Sequence, residues 1–215
     1  MANLQKAFDD LVQRYSTSLD VSIRLWEELE VHYQAKGRFY HNLHHLEMLL
    51  KELVTVEAQV KDWDSLLWAL FYHDLVYDPQ RKDNEAQSAE YLRLILEDMD
   101  YPTTRIDTCV GHILATKFHE GKSNPDTNYF VDADLSILGQ TPTIYDQYTQ
   151  QIRQEYQIFS DEIYQAGRQR VIQHFLNMDR IFKSDFFFEK YEKQSRENIK
   201  RELEDINLDS RTNFK

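Results

Sequence analysis

The chain has 215 residues, 41% of them hydrophobic, and its 13 Tyr, 12 Phe and 3 Trp suffice for a substantial core in one domain, or one domain with an added helical lobe. A net charge of −12 excludes non-specific nucleic-acid binding through a basic surface, and the single cysteine, Cys109, excludes an intrachain disulfide and a cysteine-built zinc site. Only five Gly and four Pro interrupt the chain, so a mostly helical protein is expected.

The opening residues hold no long apolar run, and no window approaches the roughly 20 apolar residues of a membrane span. The expectation is a soluble cytoplasmic chain without a leader. Phe8, Leu11, Val12 and Tyr15 keep the i, i+3, i+4, i+7 spacing of a helix, and Leu25, Trp26, Leu29 and Tyr33 repeat it after the break at Ser16–Ser18. Gly37 is the expected end of the second helix. A third helix is predicted over about 42–56, and a fourth over about 63–77, stopped by Pro79. Helices near 84–98 and from Pro102 to about His119 follow, then a polar loop over 120–128. Residues 130–138 read as a short helix or an extended piece closed by Gly139. Three more helical patterns cover 143–158, 161–178 and about 185–206, and 205–215 reads as a frayed tail. The expected architecture is therefore all-α, a single domain with a core over about 20–140 and a C-terminal helical lobe over 141–206.

His73 and Asp74 interrupt the apolar stretch Trp68–Asp78. Burying an imidazole beside a carboxylate is costly unless something pairs with them, and a metal ion is one such partner. Five of the eight histidines, His41, His44, His45, His112 and His119, lie in the segment around that pair. Helix-borne His and carboxylates on facing helices commonly build a metal site in an all-α protein, and N/O ligands without Cys suit Mn, Fe, Zn, Mg, Co or Ni. His41 and His45 are four apart and share a face, so one can meet a metal and the other a substrate beside it. Some of these three neighbours, His44 above all, equally fit surface or capping roles. Asp132 and Asp134 supply further carboxylates, with helix capping as the other use of either.

The order His45, His73-Asp74, Asp134 resembles the H…HD…D pattern of the HD-domain superfamily of metal-dependent phosphohydrolases. Tyr40-His-Asn-x-x-His45 and Asp134-Leu-Ser resemble elements of the cyclic-nucleotide phosphodiesterase branch. A closer resemblance is to small bacterial predicted HD phosphohydrolases. Its pattern runs through Arg38-x-Tyr-His-Asn42, Phe71-Tyr-His-Asp74, Tyr77-Asp-Pro79, Asn84-Glu85-x-x-Ser88-Ala89 and Asp132-Ala-Asp-Leu135. It continues through Tyr148, Arg153-x-Glu-Tyr156, Gly167-Arg168 and Asn198, which covers about 20–206. The resemblance implies an HD-type bundle in which His45, His73, Asp74 and Asp134 hold a divalent metal, with Asp74 able to bridge a second ion. It gives His41 the task of donating a proton to the leaving oxygen, and makes His112 and His119, seven residues apart, the candidates for a second metal.

The implied reaction is hydrolysis of a phosphate ester or anhydride of a small molecule, a nucleotide among them, by metal-activated water. Glu85 is a candidate for orienting that water, or a first-turn Glu that stabilises its helix; Asp78 divides in the same way, leaning towards capping. Arg38, Lys117 and Arg153, with Arg168, are candidate phosphate-binding cations, and for each taken alone a surface or ion-pair role is the better fit. Phe39, Tyr40, Phe71, Tyr72 and Tyr77 suit base stacking or plain core packing. Two other readings stay open, an oxygen-activating di-iron enzyme of the same fold and a metal-bearing ligand sensor without catalysis. A homodimer also stays open.

Overall fold

Ten α-helices, two short 3-10 turns and no strand make up residues 2–16, 18–119, 121 and 123–212, the part of the chain that the computed structural model describes. They fall into two compact units, Met1–Asp134 and Leu135–Lys215. No helix among the described residues is long and apolar enough to cross a membrane.

The first unit is built on α1 (Ala2–Gln13), α2 (Leu19–Tyr33), α3 (Leu43–Val54), α4 (Trp63–Tyr72), α5 (Asn84–Asp98), α6 (Thr103–Ala115) and α7 (Pro125–Asp134). α4 is its axis. Every residue from Leu66 to Tyr72 is buried, as expected of a helix that is apolar all round, and α1, α3, α5, α6 and α7 all pack on it. The apolar stripe of α1 is complementary: the Phe8 ring meets Phe71, Trp26 and Trp68 at centroid distances of 4.9, 5.7 and 6.1 Å. Burying one such side chain contributes roughly 1.5–3 kcal/mol. Cys109 on α6 is fully buried, and burial pushes its thiol up to about 12, which suits an inert apolar filler.

Several boundaries differ from the sequence expectation, each for a local reason. α2 stops at Tyr33, short of Gly37, which instead takes φ +102° in the following turn. α4 stops at Tyr72, five residues before the expected end. There the backbone groups of the next residues find other partners: the Asp74 and Leu75 carbonyls accept from Arg38, and the Val76 N–H donates to Ser88 Oγ at 3.0 Å. α6 ends at Ala115 and passes through turns to His119, whose φ of +51° lies in the left-handed region. The expected loop over 120–128 gives way at Pro125 to α7, because Pro is well placed at a helix start; Glu120 and Lys122 lie outside the described residues. The ambiguous stretch 130–138 divides into the end of α7 and a 3-10 turn, Leu135–Gly139.

The second unit holds α8 (Pro142–Glu155), α9 (Asp161–Asn177) and α10 (Asp185–Thr212). α10 continues six residues past 206, so 205–212 is helical and not a frayed tail; 213–215 lie outside the described residues. Gly139 lies against α10 so closely that a Cβ there would meet Tyr191 Cβ at 2.5 Å. Asn198 of α10 donates to the Leu138 and Gln140 carbonyls, which satisfies two backbone acceptors of the turn.

Candidate metal centre

Two segments of the first unit carry the imidazoles at the site's centre, His45 and His73. Asn42 caps α3 by accepting from the His44 N–H, and α3 then presents His45 inward while His44 is left exposed beside Glu47. At the end of α4, the turn after Tyr72 swings Asp74 to the same side as the His73 ring, and His73 Nε2 lies 3.1 Å from Asp74 Oδ2. Two residues adjacent on a continuing helix would point about 100° apart.

The donor atoms converge. His45 Nε2 and His73 Nε2 are 3.2 Å apart, and Asp134 Oδ1 lies 3.3 Å from the first and 3.7 Å from the second. Asp74 Oδ2 is 3.8 Å from His45 Nε2. Bonds of about 2.1 Å to a central ion produce ligand–ligand edges of roughly 3.0 Å in an octahedron and 3.4 Å in a tetrahedron. His45, His73 and Asp74 present three donors all within 4.8 Å of one another.

The tautomer of His73 sharpens the chemistry. Its Nδ1 lies 3.0 Å from the Leu70 carbonyl, which can only accept, so Nδ1 carries a proton. In the neutral ring Nε2 is then a lone pair aimed at two carboxylates and a second imidazole. Such a set needs a cation at its centre, either a proton or a metal ion, and a backbone-anchored imidazole beside carboxylates is the ordinary outer support of a metal-binding histidine. The donor set therefore fits a divalent ion. Without one, burial opposes protonation of His73, but Asp74 and Asp134 outweigh it and push the imidazole up to about 9. Burial likewise opposes ionisation of Asp74 and Asp134, yet the facing histidines hold both carboxyls well below the usual carboxylate range.

The site has a closed floor and an open rim. The side chains of His73 and His45 are 1% and 5% exposed, whereas His41, Asp74, Asp134 and His119 range from 14% to 20%. His41 Nε2 is 4.0 Å from Asp74 Oδ2, and the His41 ring stacks on Tyr77 at 4.2 Å. His119 Nε2 lies 3.1 Å from Asp134 Oδ2. The left-handed backbone at His119 and the early end of α6 bring this side chain to the rim; neither is visible in helical spacing.

Other candidates lie elsewhere. Asp132 is fully buried, and Asp134, two residues on, is the carboxylate that faces the imidazoles. His112 is buried against Thr127 Oγ1 at 2.9 Å, outside the converging donors, and its Nε2 has no partner; burial pushes it down to about 4. The Phe130 ring packs against both, 5.7 Å from the His73 ring and 6.1 Å from that of His112. Glu85 sits in the first turn of α5, 4.0 Å from Lys117, whose ammonium donates to the Lys82 carbonyl at 2.8 Å. Asp78 accepts from the Gln80 N–H, and its own N–H donates to Asn84 Oδ1, a turn that leads into α5.

Arg38 donates to the carbonyls of His41, Asp74 and Leu75 at 3.0, 2.7 and 2.6 Å. In the second unit Arg153 donates to the Tyr156 and Phe159 carbonyls and pairs with Asp161, which closes the end of α8. Arg168 is buried on Glu202 at 2.7 Å. Tyr72 and Phe71 are core residues, while Phe39, Tyr40 and Tyr77 keep some exposure. The supporting roles of Leu70, Phe130 and Tyr77 escaped the sequence reading, because a carbonyl, an apolar ring and a stacked ring carry no ligand signature. No protein-family model matches the chain, and neither does any curated protein or solved structure.

Proposed function

We propose that the chain is a metal-dependent phosphohydrolase of the HD type, cleaving a phosphate ester or anhydride of a small molecule, with nucleotides among the substrates to test. One observation carries the reading: two imidazole Nε2 atoms 3.2 Å apart face two carboxylates, and the proton of one imidazole is fixed on its far side by the Leu70 carbonyl. His45, His73, Asp74 and Asp134 would hold the ion. A divalent ion bound there supplies Lewis acidity towards a phosphoryl oxygen and makes a bound water acidic enough to attack near neutral pH.

The chain's own residues divide the remaining work. The Leu70 carbonyl orients His73, and His119 orients Asp134. His41, at the open rim and braced by Tyr77, holds the proton that the leaving oxygen needs when its bond to phosphorus breaks. The water oxygen ends on phosphorus, so the products are an alcohol or a shorter phosphate and an inorganic or organic phosphate. The substrate in this reading is a small phosphorylated compound in the cytoplasm.

The test is a panel of phosphorylated metabolites assayed with Mn, Mg, Co or Ni. Metal-dependent phosphate release from at least one class, lost in His73→Ala, is the expected result; no release from any compound with any metal contradicts the reading. A two-ion centre, which an oxygen-activating di-iron enzyme requires, draws support from the contact of His119 Nε2 with Asp134 Oδ2 at 3.1 Å. Two tightly held Fe per chain in protein purified without added metal would favour that alternative.

A further inference from the structure

Arg38 joins two of the segments that carry the site, those of His45 and of His73-Asp74. Its guanidinium donates to the carbonyl of His41 on one segment and to those of Asp74 and Leu75 on the other. The latter two follow the early end of α4, where carbonyls have no helical N–H to accept from. The same group lies 4.9 Å from the Tyr33 ring centroid and 5.4 Å from that of Tyr77, and Tyr77 stacks on His41. Arg38, Tyr77 and His41 thus form a layered stack beside Asp74.

Three charge-assisted hydrogen bonds at 2.6–3.0 Å, spread over two nitrogens, hold the guanidinium on the protein's own backbone. An ammonium is a point charge without the planar array of donors needed to hold three carbonyls in this arrangement. The ligand set, meanwhile, depends on the spacing of these segments, because His45 and His73 belong to different ones and their Nε2 atoms are 3.2 Å apart. Moving the segments apart by about 1 Å would stretch both the His45–His73 and the His45–Asp74 edge.

We propose that Arg38 is a positioning residue that sets the metal-ligand geometry by tying segments 41–45 and 73–75 together, and not a phosphate-binding group. This rests on the metal-dependent reading above. The test uses the full chain as Arg38→Lys and Arg38→Met. The control is Arg196→Met, which removes a similar clamp on the Leu176, Met178 and Asp179 carbonyls in the second unit. Mn2+ and Co2+ affinity of metal-free protein is measured by calorimetry, the Mn2+-loaded protein is compared by electron paramagnetic resonance, and unfolding of the metal-free protein is followed by heat.

Arg38→Lys is expected to fold, to bind Mn2+ about 10- to 100-fold more weakly, as loss of outer support does at metal sites, and to give a changed resonance signal. Arg196→Met is expected to lose thermal stability while binding Mn2+ as the wild type does. Wild-type affinity and signal in both Arg38 variants overturn the proposal and leave the metal reading standing. Failure of both variants to fold also overturns it, because Arg38 then holds the fold and not the ligand set. A wild-type chain that binds neither ion overturns both readings.

Discussion

Acid should destabilise the metal-free protein through His112 before it reaches the carboxylates. The His112 side chain is fully buried, its Nδ1 meets Thr127 Oγ1, and its Nε2 has no hydrogen-bond partner; burial pushes it down to about 4, and the charges of Asp126 and Asp62 offset only part of that. In the unfolded chain the same imidazole titrates near 6.5. Above pH about 6.5 both states are neutral and His112 makes no pH-dependent contribution. As the pH falls below that value, the unfolded state takes up a proton that the folded state refuses, and stability declines until the folded imidazole also titrates near 4. The gap of about 2.5 pH units, at about 1.36 kcal/mol each, corresponds to about 3 kcal/mol, a large share of a typical stability of 5–15 kcal/mol. The assay is urea unfolding in chelator from pH 7 to 4.5, comparing wild type with His112→Gln, whose amide is neutral throughout. Whatever the substitution costs at pH 7, the stability difference should close by about 2–3 kcal/mol at pH 4.5. A difference that stays constant across that range would show instead that His112 accepts its second proton without penalty.

Three further outcomes follow from the geometry. His73→Ala and Asp74→Ala should each remove bound metal and all phosphatase activity, and unchanged metal content in both would sink the ligand assignment. His41→Ala should keep its metal but turn over about 10²- to 10⁴-fold more slowly, as expected for loss of a general acid, with the metal measured by elemental analysis beside the rate; a stripped metal would move His41 into the ligand set. Gly139→Ala should destabilise the second unit by at least 1–3 kcal/mol, because the new Cβ would meet Tyr191 Cβ at 2.5 Å, and a wild-type denaturation midpoint would contradict that packing.

Helical spacing was a reliable guide wherever a stripe of large apolar residues faces the core. α5 spans 84–98 as expected, and α3 lies within one or two residues of its expected ends. The guide failed where side chains from distant parts of the chain take over backbone groups. Arg38 and Ser88 hold the groups that would otherwise continue α4, and neither is near Tyr72 in sequence. Helical spacing alone left the choice between Asp132 and Asp134 open, and only the resemblance pointed to Asp134. The two lie about 200° apart around a helix, so the rotational phase of α7 decides which one enters the site. His119 and His112 share a helical spacing of two turns, but α6 ends between them, and only His119 reaches the rim. Arg38 and Arg153 share one lesson. Both were candidate phosphate-binding cations for which an ion pair was the favoured role, and both donate to backbone carbonyls beyond a helix end, where unsatisfied acceptors are at hand.

The most direct test of a metal centre is anomalous X-ray scattering from crystals of the chain grown with Mn2+ and measured at the manganese edge. One peak is expected, enclosed by His45 Nε2, His73 Nε2, Asp74 Oδ2 and Asp134 Oδ1, about 2.0–2.3 Å from each. A crystal with Mn2+ bound only at surface carboxylates, and His45 and His73 still sharing a hydrogen bond, would contradict it.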